Sequence, residues 1–200
     1  MGCKKEKVET TSCLTGNIQS YKVPSKVGSY WIYNRYEIDS LGIETQMTNV
    51  DSVFITGDTL INNHLFTSFK GTNFGSPFTR YERDSIGYII DQYGTIIYSY
   101  TDFNSTLGTG NNATYEYRYQ MLDSTTTEIT VPAGTFNTIE KQFFISRIDD
   151  NSISNCAGNT VMHPTNYASG IGKIKLTTAF IHTIPDCKSR EQRLVKYYIP

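Results

Sequence analysis

The chain has 200 residues, 18% of them charged, and a net charge of -1. That length fits one domain or at most two small ones, and the balance excludes an electrostatic nucleic-acid binder, which needs a basic face to displace counterions from phosphates. An apolar share of 38%, with 13% aromatic, also excludes a highly charged disordered chain.

The type of apolar residue is the sharper signal. Ile, Thr, Tyr and Phe occur 21, 26, 15 and 10 times, against 5 Ala and 8 Leu. β-branched and aromatic side chains suit a pleated, half-buried surface, whereas Ala and Leu are the best helix formers. The composition predicts an all-β fold.

At the amino end, Met1-Gly2-Cys3-Lys4-Lys5 precedes a polar stretch that runs to about Ser25. There is no run of about 18 apolar residues for a transmembrane helix. Gly before Cys, then a polar stretch, resembles the cut end of a bacterial lipoprotein signal, where the Cys carries the lipid. On that reading Cys3 is the lipid site and sole membrane attachment, residues 1–24 are a tether, and residues 25–200 are one β domain. The address is then the bacterial cell envelope, on the outer membrane, facing the periplasm or the surface. Eukaryotic acylation of Gly2 and Cys3 is the rival, but its pattern wants Ser or Thr where this chain has Glu6. An ordinary Cys3 thiol is the plain alternative.

Strands follow in order. Ser29 to Asp39 reads as a strand, with Tyr30, Ile32, Tyr36 and Ile38 on one face and Arg35 and Glu37 on the other. Ile43 to Thr56 and Thr59 to Phe69 read as two strands around Gly57-Asp58, and 71–77 as a loop. Short hairpin strands follow at Thr79 to Asp84, Tyr88 to Ile90 and Thr95 to Tyr100. Residues 101–112, rich in Gly, Asn, Ser and Thr, read as a long exposed loop. Tyr115, Tyr117, Tyr119 and Met121 alternate with Glu116, Arg118 and Gln120, a tyrosine ladder with one face buried. Strands at Thr125 to Val131 and Thr135 to Ile148 come next, and 149–169 reads as irregular. Ile174, Leu176, Phe180 and Ile184 line one strand face with Lys173 and Lys175 behind, and Arg190 to Ile199 closes the sheet. Short connections force antiparallel pairing, so about ten strands form a meander curved into a partial barrel, or folded as a β-sandwich.

Three segments carry a resemblance: Pro24-Ser25-Lys26-Val27-Gly28-Ser29-Tyr30-Trp31-Ile32-Tyr33, Val131-Pro132-Ala133-Gly134-Thr135-Phe136 and Tyr167-Ala168-Ser169-Gly170-Ile171-Gly172-Lys173-Ile174. In this order and spacing they resemble a group of bacterial cell-envelope lipoproteins of unknown role. That group is loosely similar to the carriers that ferry lipoproteins across the periplasm on a curved sheet. The resemblance implies an all-β fold and an envelope address, and it carries over no catalytic residue. Trp31, Tyr33, Tyr115, Tyr117, Tyr119 and Phe180 are the aromatics that either fill a core or line a ligand groove.

Catalytic patterns are sparse. There is no G-x-S-x-G elbow, P-loop or dinucleotide fingerprint. His64, His163 and His182 have no ligand-spaced partners, so no metal or cofactor is expected; His163, before Pro164 in the irregular stretch, reads as solvated. Cys156 and Cys187 flank a strand-like segment and are either a disulfide in an oxidising compartment or two thiols. Asp precedes Ser40, Ser52, Thr59, Ser85 and Ser124, which resembles an O-glycosylation acceptor of envelope proteins. The plain alternative is that Asp and Ser form turns through side-chain bonds to backbone. Three functions therefore stand open. The first is a non-enzymatic, monomeric envelope lipoprotein that binds a partner, glycan or envelope component. The second is a carrier of a lipid or hydrophobic ligand, and the third a surface polysaccharide hydrolase.

Overall fold

The computed structural model describes residues 24–149, 160–179 and 188–200. The expected lipid site Cys3, the pair Cys156 and Cys187, Phe180 and His182 lie outside the described residues. The elements are β1 (Tyr30–Ile38), β2 (Glu44–Ile61), β3 (His64–Asn73), β4 (Ser76–Ser85), β5 (Tyr88–Asp91), β6 (Ile96–Ser99) and β7 (Thr106–Asn111). They continue with β8 (Tyr115–Met121), β9 (Thr127–Val131), β10 (Gly134–Arg147), β11 (Thr160–Ala168), β12 (Gly172–Ala179) and β13 (Ser189–Tyr198).

All are antiparallel and belong to one sheet, in the order β6-β5-β4-β3-β2-β1-β13-β12-β11-β10-β8-β7, with β9 on β10. Two meanders, β1 to β6 and β7 to β13, meet where the first strand pairs with the last, from Tyr30↔Tyr198 to Ile38↔Ser189. The sheet curls into a nearly closed barrel, so the curved-sheet expectation holds and the sandwich does not. At the seam, the Tyr98 ring of β6 lies 4.6 Å from the Tyr167 ring of β11. Lys141 Nζ of β10 donates to the Ile97 carbonyl of β6. Ile89, Tyr98, Leu107, Met121 and Ile139 seal this side as one buried cluster. The larger cluster includes Trp31, Tyr33, Val53, Ile55, Phe69, Ile174 and Leu194.

Several expected boundaries shift for local reasons. β2 runs unbroken through Gly57 because the register slips there as a bulge between Ile55 and Gly57. The hairpin turn is instead Asn62-Asn63, with φ of 50° and 62°, the two positive values of a type I′ turn. The expected loop at 71–77 contains only a two-residue turn, Phe74-Gly75. The expected loop at 101–112 contains β7. Its edge glycines are covered by the tyrosine ladder, since a Cβ on Gly108 would stand 3.4 Å from the Tyr119 ring. The irregular stretch contains β11, where Pro164 lies beyond the last β11–β12 pair, Thr165↔Leu176, and so interrupts no ladder there. The buried face of β1 is Trp31, Tyr33 and Arg35, so the face that carries Arg35 turns inward and that of Tyr30 and Ile32 does not. His163 faces inward at 5% exposure, not solvent, and burial pushes its pKa down.

Two positions make sharp predictions. Ile86, in the Ile86-Gly87 turn, has φ of 49° and is 95% exposed, a left-handed conformation that a β-branched residue adopts only under strain. Ile86→Asn is expected to raise stability by about 1 kcal/mol, read as a higher urea midpoint at unchanged slope. A midpoint that stays put means the turn stores no strain. Gly71 lies flat against β2, and a Cβ there would fall 1.9 Å from the Ser52 carbonyl oxygen. Gly71→Ala must push the two strands apart and is expected to cost roughly 2–3 kcal/mol in thermal unfolding.

Candidate ligand recess in the barrel interior

The three resemblance segments converge at one end of the barrel. Trp31 Nε1 donates to the Ile171 carbonyl at 2.7 Å, and the Tyr33 hydroxyl donates to the Lys173 carbonyl at 3.0 Å. The turn between β9 and β10 reaches the same place, where the Ala133 amide donates to the Leu194 carbonyl at 3.0 Å. Trp31 and Tyr33 are thus core anchors at 3% and 2% exposure. Burial pushes the Tyr33 hydroxyl well above its usual pKa and that of Tyr167 to about 12.

Beneath these rings lies a polar layer. Asp51 of β2 is fully buried. It accepts from the Phe74 and Gly75 amides at 3.0 and 2.9 Å and from Gln192 Nε2 at 2.6 Å, and it faces Arg35 Nε at 3.6 Å. Gln192 passes the connection on, since its Oε1 accepts from Lys173 Nζ at 2.8 Å. Lys173 was expected on the outer face of its strand. The bulge beside Tyr167 sets Tyr167 opposite Lys173 and turns that lysine inward, while Lys175 stays on the far face, 2.8 Å from Glu191. The Lys173 ammonium lies 4.8 Å from the centre of the Tyr33 ring, and burial, reinforced by Arg80, pushes its pKa down to about 7.

The barrel opens over this layer. A recess of about 550 Å³ is lined by Pro24, Lys26, Leu65, Phe69, Glu82 and Ile89, with Arg83, Gly170 and Ile199 at its edge. Its floor leads to a smaller pocket of about 60 Å³, lined by Trp31, Tyr33, Arg80, Tyr98, Tyr167 and Lys173; the two share Phe69, Glu82 and Ile89. The carboxylates here are engaged. Glu82 faces Arg80 Nε, Asp84 takes the Tyr100 hydroxyl at 2.8 Å, and Asp58 takes the Thr67 hydroxyl at 3.2 Å. Among the described residues no three His, Cys, Asp or Glu side chains gather as metal ligands.

The other expected residues fall elsewhere. Tyr115 and Tyr117 pack on Ile145 and Val161. Tyr119 stacks on Phe143 at 4.8 Å and lines a second recess of about 450 Å³ with Lys141 and His163. Ser40 and Ser124 are exposed, while Ser52, Thr59 and Ser85 are half-buried, Ser52 within the central strand β2. Two of the preceding aspartates work as turn formers. Asp39 accepts from the Leu41 and Ile43 amides at 2.9 and 2.8 Å, and Asp123 accepts from the Thr125 amide at 2.8 Å. The cationic floor of Lys173 and Arg80 had no sequence signal beyond two basic residues in alternating strands.

No family model and no curated protein matches the chain. Among solved structures it is similar to a candidate lipoprotein from Parabacteroides distasonis, at 13% identity over 88% of this chain and 97% of the other, with a TM-score of 0.49. It is also similar to a candidate exported protein with a YmcC-like fold from Bacteroides fragilis, at 14% identity over 88% and 98% of the two chains, again with a TM-score of 0.49.

Proposed function

We propose that this chain is a non-enzymatic lipoprotein of the bacterial cell envelope, anchored through Cys3, that receives a small hydrophobic or amphiphilic ligand in the open end of its barrel. The recess of about 550 Å³ carries the reading. Its size is that of a small-molecule site, and its lining sets the apolar Leu65, Phe69, Ile89 and Ile199 beside the charged Lys26, Asp58, Glu82, Arg83 and Asp84, a surface suited to an amphiphile. Placement supports it too. Pro24, Ser25 and Lys26 line the recess, so the stretch from Cys3 ends at its rim. The stretch from Cys3 to Pro24 spans at most about 75 Å when extended, which sets the farthest the opening can stand from the membrane.

Two measurements test the reading. Protein from its host's membrane fraction should incorporate labelled palmitate, and Cys3→Ala should abolish both label and membrane retention. Gentle native mass spectrometry of that protein should show one bound small molecule that leaves on denaturation. A wild-type chain that stays soluble and unlabelled removes the anchor, and an empty barrel from native membranes removes the ligand.

A further inference from the structure

The charges inside the barrel do not balance among themselves. Arg35 faces Asp51 at 3.6 Å and Arg80 faces Glu82, so each guanidinium has a carboxylate. Among the described residues the inward lysines Lys141 and Lys173 have none. Lys173 donates to the neutral amide oxygen of Gln192 and lies over the Tyr33 ring. Lys141 donates to a backbone carbonyl and lies 5.0 Å from the centre of the Tyr119 ring. An enclosed ammonium without a counter-ion is costly, and burial pushes Lys141 down to about 8 and Lys173 further. Hydrophobic packing alone would be served better by Met or Leu at either position.

Lys141 lines the recess beside Tyr119 and His163, and the Lys173 ammonium lies at the barrel floor. Lys173 lines the 60 Å³ pocket that opens through Phe69, Glu82 and Ile89 into the recess of about 550 Å³. That small volume is about twice the share of one water molecule, which suits a carboxylate group. Above it the lining includes the apolar Phe69, Ile89, Leu65 and Ile199 beside the charged Lys26, Asp58, Arg83 and Asp84. The floor therefore has the shape and charge of a head-group seat and the recess has the walls of a chain slot.

We propose that the ligand is a single-chain amphiphile with a carboxylate head, the head seated on the Lys173 ammonium between Tyr33 and Tyr167 and the chain lying along Phe69, Ile89 and Leu65. Glu82 sets the charge of the head. With Arg80 and Lys173 it leaves the floor one positive charge in excess, which one negative charge neutralises and a dianion overfills. The proposal rests on the ligand reading above and adds the identity of the head group.

Dodecanoate, dodecanol and dodecyl phosphate share a chain and differ in head, and each can be titrated into the full chain. Trp31, the single tryptophan, lines the floor pocket, so its emission reports occupancy beside calorimetry. Dodecanoate is expected to bind at least tenfold more tightly than either of the others. Lys173→Met should bring dodecanoate down to the level of dodecanol and leave dodecanol unchanged. Equal binding of dodecanoate and dodecanol, or a Lys173→Met variant that keeps the preference, overturns the head-group assignment and leaves the ligand reading standing. Dodecyl phosphate bound as tightly as dodecanoate overturns the single-charge argument. If no compound binds the wild-type chain, both readings fall.

Discussion

Asp51→Ala is expected to cost the barrel about 3–5 kcal/mol, read as a fall in the urea midpoint. The substitution removes the carboxylate that ties β2 to the β3–β4 turn and to β13. Two turn amides lose their acceptor, and Phe74, at φ of 47°, loses what holds it in a left-handed conformation. Arg35, 7% exposed, keeps a buried positive charge opposite an empty site. Breaking a buried pair from one side costs far more than the pair itself contributes, because the surviving charge has been taken out of water. Arg35→Leu added to Asp51→Ala should therefore recover part of the loss. A loss below about 1 kcal/mol for Asp51→Ala would show that water or a neighbour replaces the carboxylate.

Lys173→Met has the opposite sign and depends on pH. The unfolded lysine titrates near 10.5 and the folded one near 7. Below 7 both states hold the proton and the cost of burying the charge is fully present. Between about 7 and 10.5 the unfolded chain binds a proton that the folded chain does not, so stability rises with pH. Across that window Lys173 should return on the order of 2–4 kcal/mol, less than the full shift because part of the side chain meets solvent. Met at this position removes the dependence. The variant should be the more stable protein at pH 6, with the two curves converging toward pH 10. Lys141 adds a slope of the same sign above about 8 that persists in both proteins. Above 10 the raised Tyr33 hydroxyl reverses the trend, since the unfolded chain then loses a proton that the fold keeps. Urea unfolding from pH 6 to 9.5 decides the matter, and parallel curves for the two proteins would refute an enclosed charge at Lys173. A residue whose loss stabilises the fold is one kept for another purpose, which is what a head-group seat requires.

Much of the fold was legible because strands obey a period of two. Tyr115 to Met121 alternates as expected, and the antiparallel order follows from short connections. What was not legible came from places where neighbouring strands overrule the local pattern. Gly108 and Gly110 look like loop residues until the ladder tyrosines cover them from the adjacent strand. Pro164 looks like a strand breaker until the adjoining ladder is seen to end before it. Lys173 looks solvent-facing until the bulge beside Tyr167 turns it inward. The site suffered most, because a recess in a barrel is made by distant strands and no spacing along the chain encodes it. The aromatic residues drew attention first, yet Trp31 and Tyr33 are walls and anchors. The charged groups between them give the floor its chemistry.

The pairing of β1 with β13 joins residues near opposite ends of the chain, such as Tyr30 with Tyr198. During synthesis, the first six strands can zip as a meander as soon as they emerge. Trp31, Tyr33 and Val53 then wait for Val131, Ile174 and Leu194 from the second half before their cluster is complete. Contacts of such long sequence separation form late. Closure is therefore deferred to the ten residues of β13. A copy clipped before Ser189 would carry bare edges on both β1 and β12, each a template for pairing with another chain.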